Sequence, residues 1–480
     1  MKQVDSIQVN WTSCHDCKGY GKLRDKLGKK ARKRYEKVLA EFEKTNNGGT
    51  PPERPLGAFS TCASCNGSGL LRSATNPKPD TVHYPRIAII GGGIGGTALA
   101  VACLHRGIPF TLYERDASFD ARSQGYGLTL QQASRAVKQL GISALEEGVI
   151  STLHLVHRTD GKVIGEWGSR RWLEATENPK AKRTNVHIAR QALRLELLQQ
   201  LGGAGMVQWG HQLIGFSENE QGSVTLNFKV DGKPKSQQAD LIVGADGIRS
   251  TLRNVLIGDS KTPLRYLGCI VILGICPLKN LKEVESELLD SATVFQTANG
   301  NERIYMMPFG EDAIMWQLSF PMPEEDAKEL SRRGVKALKE EAVLRTQWHA
   351  PIPEIMAATN EDMISGYPVY DRAILKPELL EKAKYATLLG DAAHPMSPFK
   401  GQGANQALLD ALDLARAIAN GCGPESDWRR KGLRDCILSD FEEKMIARTT
   451  PKVLASAEVV QYLHSMEMLW EADTPRGRRS

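Results

Sequence analysis

From residue 86 onward, short apolar runs alternate with segments of helical periodicity. The first, RIAIIGGGIGGTALAVACL (86–104), has eighteen uncharged residues behind one arginine. That length is near the lower limit of roughly 18 residues for a membrane span. Five of its six positions 91–96 are glycine, however, and each interior glycine costs a helix about 0.5–1 kcal/mol relative to alanine. The pattern therefore predicts a buried strand over 86–90, a tight turn and a helix from about Ile94, with no membrane span. FTLYE reads as the next strand, so 86–114 forms a βαβ unit with parallel strands.

Further along, VTLNFKV and ADLIVGAD read as strands separated by a turn, DGKPKSQQ. Within 265–320, GCIVILGI, RIYMMP and AIMWQLSF predict a sheet-rich insert. From Gln402 the chain becomes helical, and ANQALLDALDLARAIANG keeps apolar residues at helical spacing up to Gly421. A last helical stretch over about 438–471 contains Pro451, which predicts a kink or break.

The first 85 residues have a different pattern. They carry two CxxC pairs, a basic segment with helical spacing (22–44) and the turn-rich NNGGTPPERP, and ATNPKPDTVHYP follows as a linker. At 480 residues the chain exceeds one ordinary core. A hydrophobic share of 41% with 25% charged residues fits a soluble globular enzyme. The net charge of +6 is modest, so no nucleic-acid partner is expected. MKQVDSIQVN has no basic start followed by an apolar core, hence no secretory signal. Nine cysteines, an odd number, suit a reducing compartment, and the expected location is cytoplasmic.

Gly91, Gly93 and Gly96 match GxGxxG. The first permits the sharp turn, the second lets a pyrophosphate approach the backbone, and the third lets helix pack on strand. Alone the motif is weak. Here, with Gly95 inside it, it follows a strand and opens a helix. The next strand ends in Glu114, followed by Arg115, where a carboxylate is wanted for a ribose. A dinucleotide is the expected ligand.

IAIIGGGIGGTALAVACLHRGIPFTLYERD resembles the opening of the single-component (group A, para-hydroxybenzoate hydroxylase-type) FAD-dependent monooxygenases. Three further stretches agree, in order. ADLIVGADGIRSTLR resembles the family's DG motif, centred on Asp246 and Gly247. LLGDAAHPMSPFKGQGANQALLDALDLA resembles its GD motif. HIARQALRLELLQQL resembles the segment whose arginine, here Arg190, contacts the flavin ribityl and pyrophosphate region. Within the family the chain looks most similar to the tetracycline-inactivating monooxygenases, since FDARSQGYGLTLQQASRAVKQLG places Arg122 before Gly125 and Gly127, glycines that would flank the flavin. The C-terminal helix after Phe441 resembles the one that braces their two domains.

The resemblance implies an α/β protein with a Rossmann-like FAD-binding domain in three parts (86–155, 186–260 and 363–437). A sheet-containing substrate domain (156–185 and 261–362), a C-terminal helix (438–475) and a small N-terminal module (1–80) complete it. Residue chemistry agrees around Gly390 and Asp391. A carboxylate at a strand's C-terminal end can accept hydrogen bonds from a sugar-alcohol chain. Pro398 stiffens the next loop, and Gly401 and Gly403 let a flat ring reach backbone amides near Ala404 and Asn405. A helix N-terminus there favours negative charge on a reduced flavin. His394 reads either as a proton-transfer residue or as a positional one. Asp246 reads equally as a plain strand-end turn.

Family membership implies that NADPH (or NADH) reduces FAD, that O2 adds at C4a, and that the hydroperoxide oxidises an aromatic or polycyclic phenolic substrate. No Ser/His/Asp set is then required, and no second GxGxxG is present. Tyr305, Met306, Met307, Trp316 and Phe320 either line the substrate pocket or are ordinary sheet core. Basic residues of 168–183 either meet an acidic substrate or form a solvated loop. Two rivals stand beside this reading. A flavin-dependent halogenase would carry WxWxIP, which MWQLSFP matches only in part, and a non-catalytic flavin- and zinc-binding scaffold would turn nothing over.

SCHDCKGYGK and TCASCNGSGL share CxxCxGxG, which resembles the zinc motif of DnaJ-type chaperones. Paired thiolates two residues apart bind one face of a tetrahedral zinc, so Cys14, Cys17, Cys62 and Cys65 are the expected ligands and His15 is not. The glycines let backbone amides turn back toward sulfur. The chaperones use four such motifs, and two are present here. The basic segment between them is a solvated surface, a dock for an acidic protein partner, or a nuclear-entry signal.

Overall fold

The computed structural model describes residues 9–45, 49–121, 126–131, 134–168, 185–219 and 222–470. They form two compact units. One holds the chain through Lys78 together with His105–Gly107, and the other holds the rest.

In the smaller unit, Asn10–Ser13 pairs with Leu70–Ser73 and Lys22–Arg24 with Phe59–Thr61, both antiparallel. The basic segment is thus not helical from its start. Lys22 and Arg24 lie over the Phe59 ring, each 4.3 Å from its centroid, which favours the extended pairing. The helix proper is Lys29–Thr45 and buries no residue.

The larger unit is built on a five-stranded parallel sheet in the order Val207–Gln208, Phe110–Tyr113, Ile87–Ile90, Leu241–Gly244, Ala386–Leu388. IAII, LIVG and ATL are buried at every position, as strands covered on both faces must be. The helix Ile94–Leu104 follows the glycine turn as expected and packs on the helix Gly403–Gly421. DGKPKSQQ is more than a turn. Asp231 and Gly232 have φ of 49° and 79° and make a tight hairpin. Lys233–Ala239 then pairs with Val224–Val230 as a polar edge strand.

The insert is a seven-stranded sheet: Val163–Gly168, Leu153–Arg158, Thr293–Ala298, Arg303–Phe309, Ala313–Pro321, Leu264–Pro277, Ile364–Arg372. It begins before residue 156 and continues past 362, so its limits differ from those expected. The Leu153–Arg158 strand enters parallel to its neighbour Thr293–Ala298, and Ile364–Arg372 closes the far edge. One face of the sheet, including Ile304, Met306, Trp316, Leu318 and Phe320, forms an apolar core with three helices. The other face carries Arg303, Tyr305, Met307, Met315 and Gln317, as the period of two requires.

Ser439–Leu463 is a single helix that runs through Pro451 without the expected break. Its two halves are anchored separately. Phe441, Met445 and Ile446 join the core of the parallel sheet, while Val459, Val460 and Leu463 pack in clusters beside the insert. Such burial outweighs the roughly 3 kcal/mol that an interior proline costs.

Candidate flavin and substrate site

A cavity of about 470 Å³ lies between the C-terminal ends of the parallel strands and the polar face of the seven-stranded sheet. Gly93, Gly95, Arg190, Gly247, Gly390, Asp391, Pro398, Gly401, Gly403 and Ala404 all line it. The structure brings together ten residues singled out from four separate stretches of sequence.

The glycine turn is sterically determined. Gly91 has φ +107°, and a Cβ there would sit 2.4 Å from the Ala245 carbonyl oxygen. A Cβ on Gly96 would sit 1.9 Å from the Gly91 carbonyl oxygen. At Gly93 the nearest neighbour of a Cβ is Arg190 Nη2, 3.7 Å away. That guanidinium has no hydrogen bond or ion pair among the described residues. It faces a helix N-terminus across open space, and the arrangement fits a diphosphate. Arg190 comes from the first turn of the helix Arg190–Gln200, and its backbone N–H donates to Tyr126.

Glu114 holds this turn in place from behind. It is buried, and its carboxylate accepts from the Gly92 N–H (2.7 Å) and the Asp116 N–H (3.1 Å). Arg194 supports the same loop, donating from Nε to the Gly92 carbonyl at 2.6 Å while lying over the Phe119 and Trp209 rings. Arg115 is exposed. Arg122 and Gly125 lie outside the described residues, as do residues 169–183 of the basic loop.

Asp246 spends its carboxylate on the chain that follows, accepting from Ser250 Oγ (2.5 Å) and the Thr251 N–H (2.8 Å) at the start of the helix Thr251–Ile257. Its neighbour Gly247, with φ +83°, faces the cavity. Arg253 of the same motif reaches across to the GD loop and donates from Nη1 to the Ala392 and Ala393 carbonyls, both at 2.8 Å. Nothing in the sequence links these two motifs.

Asp391 lines the cavity and is exposed to it. Desolvation by the surrounding protein raises its pKa, and Asp410 adds to this while His394 and Arg190 oppose it. His394 does not line the main cavity. Its Nε2 is 2.6 Å from Asp410 Oδ2, which also accepts the Gly390 N–H at 2.9 Å, and Arg448 donates to Asp410 Oδ1 at 2.6 Å. Asp410 lies on the helix Gly403–Gly421 and is fully buried. With Asp410, His394 pins the loop that carries Asp391.

Burial alone would raise the Asp410 pKa, but His394, Arg448 and the Gly390 N–H reverse this and lower it. A depressed folded-state pKa contributes stability above the unfolded value of about 3.9 that is lost as pH falls through the folded value. Asp410→Asn should destabilise the protein by about 3 kcal/mol at neutral pH, since it removes the charge that the buried His394 and the half-buried Arg448 share. The penalty should shrink only below about pH 3.9, and thermal unfolding at pH 7 and at about pH 2.5 measures both.

Gly401 has φ +57° and ends the turn Pro398–Lys400. The next helix starts at Gly403, where a Cβ would lie 3.5 Å from Asp391 Oδ1. Asn405 uses its side chain internally, donating to the Gly401 (2.7 Å) and Thr129 (2.9 Å) carbonyls and accepting from the Gln131 N–H (3.0 Å). Ser397 Oγ is 2.6 Å from Ser456 Oγ, so the C-terminal helix braces this loop. Of the sheet residues weighed as pocket lining, Tyr305 and Met307 face the cavity. Met306, Trp316 and Phe320 lie in the core. Trp316 fits over Gly274, where a Cβ would come within 2.3 Å of its ring, and donates to Thr359 at 2.9 Å.

In the smaller unit the sulfurs of Cys14, Cys17, Cys62 and Cys65 all lie within 4.8 Å of one another. Cys14 and Cys62 are 4.0 Å apart and Cys17 and Cys65 3.7 Å. Tetrahedral zinc with Zn–S of about 2.3 Å spaces its sulfurs by about 3.8 Å. The Gly21 and Gly69 N–H groups each donate to a sulfur at 3.2 Å. The donor set fits zinc. His15 points outward to Asp16, its side chain 80% exposed.

No helix among the described residues is long and apolar enough to cross a membrane. Residues 85–426 match the family model described as FAD binding domain. The chain is 29% identical over 341 residues to aurachin C monooxygenase/isomerase of Stigmatella aurantiaca, covering 69% of this chain and 80% of that one. It is 31% identical over 344 residues to 3-amino-4-hydroxybenzoate 2-monooxygenase PtmB3 of Streptomyces platensis, covering 69% and 79%. The solved structure of tetracycline destructase Tet(51) shares the fold, with a TM-score of 0.55 at 20% identity over 81% of this chain and 95% of that one. The glycine turn, the cavity behind it and these relatives agree: the chain belongs to the FAD binding domain family of flavin-dependent monooxygenases.

Proposed function

We propose that the protein is an NADPH-dependent monooxygenase that hydroxylates an aromatic or polycyclic phenolic molecule. The observation that carries this reading is one cavity, bounded at one end by the glycine turn with an Arg190 guanidinium unpaired among the described residues and at the other by Tyr305, Met307, Met315 and Tyr367. Relatives named for an aminohydroxybenzoate and for aurachin C support an aromatic substrate. The fold shared with a tetracycline destructase extends the range to fused rings.

Amides at the start of the helix Ile94–Leu104 and the Arg190 guanidinium would receive the FAD diphosphate. Asp391 would accept hydrogen bonds from the ribityl hydroxyls, and the amides at Gly403 and Ala404 would face the ring's electron-rich edge. Glu114, Asp246, Asn405 and His394 act one step back, by holding the loops. FAD supplies the redox chemistry, in which substrate-H, O2, NADPH and H+ give substrate-OH, water and NADP+. The Met and Tyr wall orients the ring and keeps water out. Zinc held by the four cysteines would order the N-terminal module, with the exposed basic helix available to a protein partner. The halogenase reading gains nothing, since Trp316 is packed in the core.

The test is NADPH consumption by FAD-loaded protein, alone and with a panel of tetracyclines, anthraquinones and simple phenols. Stimulation by one class, with hydroxylated product, is expected. A flavin that NADPH does not reduce under any of these conditions would overturn the reading in favour of a scaffold.

A further inference from the structure

Arg303 is buried, with 5% of its surface exposed, yet among the described residues no acid lies beside it. Its Nε donates to Gln296 Oε1 at 2.8 Å, and its Nη1 has no hydrogen-bond partner among the described residues. Two strand positions away, on the neighbouring strand, Gln317 is also buried and its Nε2 is likewise unpartnered. Both side chains line the cavity on the face of the seven-stranded sheet. The titratable groups around Arg303 are Tyr305, whose ring lies 5.1 Å from the guanidinium carbon, and His464 of the C-terminal helix. His464 is fixed between Ser319 Oγ (2.9 Å) and the Val460 carbonyl (2.8 Å). Its pKa is pushed down to about 4, by burial first and with the Arg303 charge also lowering it, so it is neutral at pH 7. Burial lowers the pKa of Arg303 itself only to about 10, which leaves it charged.

A buried cation with a free N–H, next to a second orphaned donor, is costly unless something completes it. We propose that Arg303 and Gln317 form the anion-recognising end of the substrate site, and that the substrate is an aromatic acid whose carboxylate they bind. This rests on the monooxygenase reading and specifies its substrate class. Arg303 Nη1 and Gln317 Nε2 would each donate to the carboxylate, the Met and Tyr residues would hold the ring, and the oxidisable position would lie toward Gly401–Gly403.

The test uses FAD-loaded protein and the flavin absorption spectrum, titrated with benzoate, 1-naphthoate and 9-anthracenecarboxylate, each against its carboxamide. At least one acid should bind 10-fold or more tightly than its amide. Arg303→Gln should abolish that preference with FAD content unchanged, Arg303→Lys should retain part of it, and Gln317→Leu should weaken the acid several-fold. Amides binding as well as acids, no acid binding at all, or an Arg303→Gln protein that keeps the preference would each overturn the proposal. The wild-type comparison decides even where a variant does not fold. A flavin that NADPH reduces but that is indifferent to ligand charge removes this inference alone. A flavin that NADPH never reduces removes the monooxygenase reading with it.

Discussion

Gly96→Ala is expected to yield protein without flavin and with reduced thermal stability. The added methyl would lie 1.9 Å from the Gly91 carbonyl oxygen and 3.2 Å from the Ala245 Cβ. The first is backbone and cannot rotate away. Either the helix Ile94–Leu104 lifts from its strand or the turn opens, and each movement disperses the amides that face the cavity. An FAD affinity loss of a thousandfold or more is expected, equivalent to about 4 kcal/mol. Gly93→Ala is the informative partner, because its methyl would meet nothing nearer than Arg190 at 3.7 Å. It should leave the unfolding temperature nearly unchanged while still weakening FAD. Flavin absorbance per protein and thermal unfolding measure both effects. A Gly96→Ala protein with full flavin and normal stability would show that the turn tolerates a side chain, contrary to its geometry.

The second large effect concerns the four cysteines. Their sulfurs form a buried cluster in the small unit, with the partly buried Leu71 packed against it. The helix Lys29–Thr45 adds no buried residue, so a metal would be the main reinforcement of the two short strand pairs that join the knuckles. Metal binding is then folding, with an apparent free energy of about 10–16 kcal/mol in small zinc domains. Metal analysis should give one zinc per chain, lost in Cys62→Ser. Residues 9–73 should become protease-sensitive in that variant or after strong chelation. A zinc-free protein whose module resists protease as before would refute the structural role.

The features legible in the sequence were those imposed by backbone sterics or by ligand spacing. Gly91 and Gly96 have no sterically acceptable substitute, so the turn was readable, and so were the two CxxC pairs, whose four sulfurs the fold brings within 4.8 Å of one another. Residues that work through distant partners were not. Asp410 looks like one more acid on an amphipathic helix until the fold brings His394 and Arg448 to it. Arg303 looks like a surface charge at a strand start, because only the fold reveals that its side of the sheet is enclosed. Glu114, Asp246 and Asn405 were found as positions but not in the way their side chains are used, since a motif marks a place and leaves its hydrogen bonds open. Ile364–Arg372 was not read as a strand, having Gly366, Pro368 and Asp371 within it. Pro451 suggested a break because local propensity takes no account of the packing on either side.

The order in which the chain visits its two main sheets constrains both synthesis and engineering. The parallel sheet takes strands from 87–113, 207–208, 241–244 and 386–388, and the seven-stranded sheet takes them from 153–168, 264–321 and 364–372. Each is interrupted by the other. Neither can be completed until some 370 to 390 residues have left the ribosome, so early strands wait with open edges, and such long-range pairing folds slowly. The same threading means that the substrate wall cannot be exchanged between relatives as one cassette. A chimera would need three segments exchanged in register, and the last strand transplanted would end only fifteen residues before Thr387 of the flavin sheet.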